Sequence, residues 1–378
     1  VALIETVFLA VCCKCMFNGG QERRSMKHVL TCCAVLAITG SAIAETWTVD
    51  DDGPADFDNI QAAVDAASDG DVIIVEPGTY TSTQSGHVVN MLGKRITLQS
   101  TDPTDPDVVA STIIDGENSR RGIACFGYEN YYDTIIKGFS IVNGYAANFV
   151  YSTDYWNANE SGGGINIVWP AGAKVEYCII SGCHTGGYES GGGLAVYYGS
   201  AKVHACTFSN NSASNGGGLY QISNNTFEIS DCVFFENSAA RGAGLSCESA
   251  QYGGAILSNC LIENNTATLR GAGLYIKGGC INEPNPPPTT FALISNCTIV
   301  NNFLTDQGGS NWNCGGGIYS DFCPFSEGLT VTGTIICGNE LGGGNQASQF
   351  CVHEQNWIDG GGNAIFDECQ WGDADGDG

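Results

Sequence analysis

"SNCLIENN" at residues 258–265 and "SNCTIVNN" at residues 295–302 are one phrase written twice. Looser copies stand earlier: "EYCIISGC" from Glu176, "HACTFSNN" from His204 and "SDCVFFEN" from Ser230. The Cys of the phrase falls at 178, 206, 232, 260 and 297, and the first three intervals are 28, 26 and 28 residues. Two residues after each Cys stand Ile180, Phe208, Phe234, Ile262 and Ile299. A spacing of two puts both side chains on one face of a short strand. Five residues after the Cys come Cys183, Asn211, Asn237, Asn265 and Asn302; three before it come Val175, Val203, Ile229, Leu257 and Ile294. A polar pair such as Ser258-Asn259 or Ser295-Asn296 lies in between and supplies a bend.

A Gly cluster accompanies each phrase. The clusters begin at Gly162, Gly191, Gly216, Gly242, Gly271 and Gly315, and each leads into another apolar stretch such as Leu194-Ala195-Val196 or Leu274-Tyr275-Ile276. One unit therefore reads as about three short strands joined by tight turns. Such a unit cannot bury its own apolar face. Stacking coil on coil at strand spacing, about 4.8 Å, does so and sets like residues on like. The interior becomes columns of Cys, Ile/Phe and Leu. The buried Asn residues form amide ladders, satisfying groups that would otherwise cost about 1–3 kcal/mol each. The fold class is all-β: a single-stranded parallel solenoid.

The columns extend outward from the five phrases. Phe139 takes the Cys slot in "FSIVN", and Gly333 takes it in "GTIIC". Val72 to Val75, Ile96 to Leu98 and Ile113-Ile114 read as earlier, less regular coils, giving about ten in all. An open solenoid end is a bare sheet edge, so it needs a cover. Residues 57–68, "FDNIQAAVDAAS", supply one as a helix with Ile60, Ala63, Val64 and Ala67 on one face, Asp56 or Asp58 as cap and Gly70 beyond its end.

The chain has 378 residues. Residues 26–44 read as a secretory signal: Lys27 and His28, an apolar run from Val29 to Ile38, then Ala42-Ile43-Ala44 as a cleavage site. The mature chain is expected to start near Glu45, and residues 1–25 are expected to be an untranslated leader, with its ribosome-binding site, read in frame. Residues 1–44 carry four of the 14 basic and two of the 40 acidic residues. The remainder holds 10 and 38, a net charge of −28. Such a surface repels nucleic acid and anionic membranes. No stretch approaches the roughly 20 apolar residues of a membrane helix.

The run "IQAAVDAASDGDVIIVEPGTY" (60–80), "GKRITLQS" (93–100), "TIIDG" (112–116) and "GFSIVNG" (138–144) resembles the opening of secreted bacterial proteins of the pectin-lyase-like superfamily. The resemblance implies a right-handed parallel β-helix. Gly253-Gly254-Ala255-Ile256, Phe208 to Asn211 and Phe234 to Asn237 are similar to the repeats of chlamydial polymorphic membrane proteins. The implied organisation is a β-helix over 45–345, an irregular Cys-containing segment over 346–370, and the start of a Ca²⁺-binding repeat over 371–378. In that last piece Asp373, Asp375 and Asp377 take positions 1, 3 and 5 of a Ca²⁺ loop, resembling an interrupted dockerin or EF-hand-like module. Ca²⁺ is the one cofactor expected.

The fold hosts lyases, hydrolases, adhesins and spacers, so function must come from a site. Pectate lyases use an Arg base beside carboxylate-held Ca²⁺. Arg241 and Arg270 each precede a Gly-Ala-Gly cluster and should stack about 5 Å apart in successive coils, where they could grip a carboxylate or pair with Glu236 or Glu263. They are the catalytic candidates. "NWIDGG" (356–361) is similar to the Trp-Ile-Asp-His signature of one pectate lyase family but has Gly360 in place of His. The polygalacturonase pattern is missing from the central coils, and His184 and His204 sit on different coils. Tyr220, Tyr275 and Tyr319 each follow the first apolar residue after a Gly cluster, so they should face outward, where aromatic rings stack on sugars. With Arg241 and Arg270 they form the expected binding set. Cys280, Cys314, Cys323, Cys337, Cys351 and Cys369 lie in irregular segments and are the disulfide candidates. The expected function is a secreted or cell-surface carbohydrate-binding or adhesin-like rod of a bacterium. The alternative is a Ca²⁺-dependent uronate lyase.

Overall fold

The computed structural model describes residues 44–84, 86–126, 133–146, 161–187, 189–223, 225–249, 253–278, 290–305, 315–321, 328–341, 350–353 and 357–366. The expected signal, the leader, the disulfide candidates Cys280, Cys314, Cys323 and Cys369, and the Asp373–Asp377 motif lie outside them.

One winding shows the rule. Ser200–His204, Thr207–Ser209, Ser212–Asn215 and Leu219–Ser223 follow one another around the coil, and each pairs in parallel with its counterpart in the next coil. The repeats build four parallel sheets of 11, 10, 7 and 9 strands, here sheets 1 to 4 in the order the coil visits them. A unit thus has four strands rather than three. The missed one is sheet 3, whose segments such as Ser212–Asn215 and Ser238–Arg241 are short, polar and without alternation.

Left-handed backbone at three corners explains the count. Residues just before the Cys slot, and five positions later, all have positive φ: Ala205 and Asn210, Asp231 and Glu236, Asn259 and Asn264, Asn296 and Asn301. Each turns the chain through one corner with a single residue, so the expected two-residue bend is tighter than read. The first Gly of each cluster makes the third corner, as at Gly216 with φ 60°. The third Gly of the cluster serves close approach. A Cβ on Gly218 would lie 2.6 Å from the Gly244 carbonyl oxygen of the next coil.

The interior follows the predicted columns. Cys178, Cys206, Cys232, Cys260 and Cys297 are buried and form one file: the Cys178 amide reaches Cys206 Sγ at 3.5 Å, and the Cys206 amide reaches Cys232 Sγ at 3.5 Å. Ile180, Phe208, Phe234, Ile262 and Ile299 lie in register, with the Phe208 and Phe234 rings stacked at 4.9 Å. The Asn ladder is present and longer than expected. Asn211, Asn237, Asn265 and Asn302 each pass Nδ2 to the Oδ1 of the next, ending on Asn339, at 2.9–3.1 Å. Phe139 occupies the Cys slot of its coil. The slot assigned to Gly333 belongs instead to Thr334, whose Oγ1 accepts from the Cys297 amide at 3.3 Å, while Gly333 takes the left-handed corner.

Helix α1 (Ile60–Ala66) buries Ile60, Ala63 and Val64 against the first coils. It is shorter than the expected 57–68, and its cap is Asn59, whose Oδ1 accepts from the Ala62 amide at 2.8 Å, not Asp56 or Asp58. Asp56 serves Thr48 instead. Beyond residue 345 the windings continue: Phe350–His353, Trp357–Asp359 and Ala364–Phe366 extend sheets 4, 1 and 2. "NWIDGG" is therefore wall, not an appended motif. Sheet 1 reaches 11 strands, a stack of roughly 50 Å. No helix among the described residues is long and apolar enough to cross a membrane.

Candidate functional site

All five predicted binding residues meet on one face, along the crease between sheets 3 and 4. In sheet 4 the residue after the Gly cluster points inward, as Leu219, Leu245, Leu274 and Ile318 do. The next residue points outward. In register this outward column reads Tyr220, Ser246, Tyr275, Tyr319. At the end of sheet 3, Asn215, Arg241 and Arg270 form a parallel column. The Gly corner brings the two columns together.

The tyrosines face outward yet are buried, at 6% for Tyr220 and 2% for Tyr319. The corner, not the strand, decides this, because side chains from both sheets fill the crease. The Tyr275 and Tyr319 rings stack at 5.4 Å and 5° apart, and the Arg270 guanidinium lies 5.1 Å over the Tyr319 ring. Tyr220 packs on Tyr197 at 5.3 Å. Ser246 interrupts the column, and its buried Oγ has no hydrogen-bond partner.

Arg241 and Arg270 do stand in adjacent coils at one register position. Neither pairs with Glu236 or Glu263. Arg241 Nη1 donates to Asn215 Oδ1 at 3.3 Å, because Glu236 and Glu263 belong to sheet 2 and its corner, on another face. The next outward column of sheet 4 is one that sequence reasoning missed: Glu248, Lys277 and Asp321 in register. Alternation by two from Tyr220 and Tyr275 would have found it. Burial raises the Glu248 carboxyl above its usual range; Lys277, Arg241 and a hydrogen bond from Tyr220 offset part of that rise. Burial also raises the Tyr220 and Tyr275 hydroxyls, so they remain neutral donors.

Glu248 and Asp321 are two coils apart with Lys277 between them, about 10 Å at strand spacing. One Ca²⁺ needs its oxygens within about 2.6 Å, so this pair cannot share an ion. Among the described residues, the three-carboxylate group is Asp50, Asp51 and Asp52, at the other end of the stack. His184 packs on Tyr145, and His204 contacts Ser230 and Asp231, so neither joins the crease. Cys337 is disulfide-bonded.

A family profile described as "Right handed beta helix region" matches residues 108–285 and 163–360. The chain belongs to the right-handed β-helix family. Among solved structures, similarity extends to a pectin methylesterase from Aspergillus niger, at 12% identity and TM-score 0.37 over 89% of each chain. A pectin methylesterase from carrot is similar at 14% identity and TM-score 0.35, over 83% of this chain and 90% of that one. Among curated proteins, none matches the sequence.

Proposed function

We propose that this β-helix is a polysaccharide-binding rod whose crease between sheets 3 and 4 takes an acidic glycan lying along the stack. The observation that carries the reading is the convergence of Arg241 and Arg270 with the Tyr220–Ser246–Tyr275–Tyr319 column. Two guanidinium groups one coil apart can hold a carboxylate or sulfate, and the buried tyrosine column braces them from beneath, as the Tyr319 ring does under Arg270. The rest of the surface is acidic, so these cations are a local attraction in a repelling field. The reading includes export after cleavage near Glu45 and display at a bacterial surface, in the manner of an adhesin.

The test uses the full chain with polygalacturonate, alginate and a sulfated glycan, with and without Ca²⁺. Binding is followed by calorimetry, and unsaturated product by ultraviolet absorbance. Arg241→Ala and Arg270→Ala are each expected to weaken binding roughly 10- to 100-fold, the loss of one charge-assisted hydrogen-bonded contact. Binding that is unchanged in the double variant overturns the reading. Ca²⁺-dependent unsaturated product that vanishes in either variant establishes the lyase alternative, with that arginine as base.

A further inference from the structure

A second recess lies at the far end of the stack, against the capping helix. It is a cleft of about 610 Å³ enclosed by α1, the segment from Tyr80 to Gln84, and the strand His87–Asn90. That volume falls within the roughly 300–1,000 Å³ of small-molecule sites.

Its walls are held in place by bonds that leave other polar groups unused. Gln61 is fixed at both ends: its Oε1 accepts from the Asn90 amide at 2.7 Å, and its Nε2 donates to Asp65 Oδ1 at 2.8 Å. The Asn90 amide bond, with Nε2 also donating to the Asn90 carbonyl at 3.2 Å, ties the helix to the strand, while the Asp65 bond lies within the helix. By contrast, the hydroxyls of Thr81 and Thr83 and the His87 imidazole line the cleft and make no hydrogen bond among the described residues. Burial and the neighbouring Arg121 hold His87 below the usual imidazole range, so at neutral pH it offers one donor and one acceptor. Leu92, 48% exposed, adds an apolar patch at the rim.

The lining contains no Lys or Arg. Arg121 sits beside His87 in the next strand, but its guanidinium donates to the Ser161 and Gly162 carbonyls at 2.8–3.1 Å and is buried. Asp65 is the one lining carboxylate. Hydroxyl, amide and neutral imidazole groups beside an apolar patch suit a ligand with many hydroxyls and one less polar face. A carboxylate in the wall and no free cation disfavour an anion. We infer that this cleft binds a neutral saccharide of one or two rings, independently of the crease.

The experiment is calorimetry and saturation-transfer NMR on the full chain with galactose, cellobiose and glucuronate. At least one neutral sugar is expected to bind, and glucuronate to bind more weakly than either. His87→Phe should weaken neutral-sugar binding roughly tenfold, the loss of about one hydrogen bond to a buried group. Thr83→Trp, at an exposed rim position that leaves the fold intact, should abolish it by filling the cleft. The Arg241→Ala, Arg270→Ala double variant should bind neutral sugar like the wild type, which separates this site from the crease. Failure of both neutral sugars to bind, stronger binding of glucuronate, or binding undiminished in Thr83→Trp would each overturn the inference.

Discussion

Asn237→Ala tests whether the amide ladder carries stability. Asn237 Oδ1 accepts from the Asn211 amide at 3.0 Å and from Asn211 Nδ2 at 3.1 Å. Its Nδ2 donates to the Phe208 carbonyl at 2.9 Å and to Asn265 Oδ1 at 3.0 Å. Truncation leaves two buried donors on Asn211 without partners. The two acceptors suffer less, since Asn265 Oδ1 keeps the Asn237 backbone amide at 2.9 Å. At about 1–3 kcal/mol for each orphaned donor, the expected loss is about 2–6 kcal/mol. Urea unfolding followed by circular dichroism measures it, with hydrogen exchange at the Asn211 amide as the local readout. Asn264→Gly is the control. It lies one residue from the ladder, exposed, with φ 55°, and its loss orphans no buried donor. The reasoning fails if Asn237→Ala stays within about 0.5 kcal/mol of wild type, the range of ordinary surface changes, with the Asn211 amide still protected.

Ala205 holds φ at 51°, which costs a non-Gly residue about 1–2 kcal/mol, while Gly adds about 0.5–1 kcal/mol of chain entropy. Ala205→Gly should therefore stabilise by up to about 1 kcal/mol in the same urea assay, and a loss of stability would contradict the corner geometry. Glu248 has its carboxyl pKa raised in the folded state, so the stability it contributes is fully present below the unfolded value of about 4.3 and is lost as pH rises through the folded one. Glu248→Gln should therefore gain stability over wild type above that window and not below it, and parallel pH profiles would refute this. The five stacked thiols are at most 2% exposed, and burial raises Cys206 well above its usual range. Ellman's reagent should find Cys178, Cys206, Cys232, Cys260 and Cys297 only after unfolding, and fast labelling of any of them in the native protein would contradict the buried file.

The inner columns were legible because stacking repeats the same demand in every coil. Cys178 to Cys297 and Asn211 to Asn302 must match their neighbours, and so the sequence spells them again. Sheet 3 was not legible. Ser212–Asn215 buries no residue fully and Ser238–Arg241 only Ala239, and short polar strands carry no period. The Thr334 slot was misread because a hydroxyl replaces the thiol there and adjacent Gly333 drew the alignment one residue early. Within the site, outward direction followed from a period of two, which located Tyr220, Tyr275 and Tyr319. Their burial did not, because it depends on how sharply Gly216, Gly242 and Gly271 fold sheet 4 back on sheet 3. Glu248 carried the same period and lacked only a partner in the text to draw notice.

The left-handed residues that bound sheet 2 are always five apart, from Gly138 and Asn143 to Gly333 and Gly338. Sheet 4 enjoys no such constancy at its edges. Three positions lie between Asn215 and Leu219, yet 18 lie between Ala146 and Ile165, 12 between Lys277 and Thr290, and 13 between Leu304 and Ile318. Between Gly138 and Gly338 the large variations in length thus fall at the borders of the face that carries the arginines and tyrosines. New segments can be grafted there without disturbing the wound wall beneath, so specificity and stability are free to evolve apart.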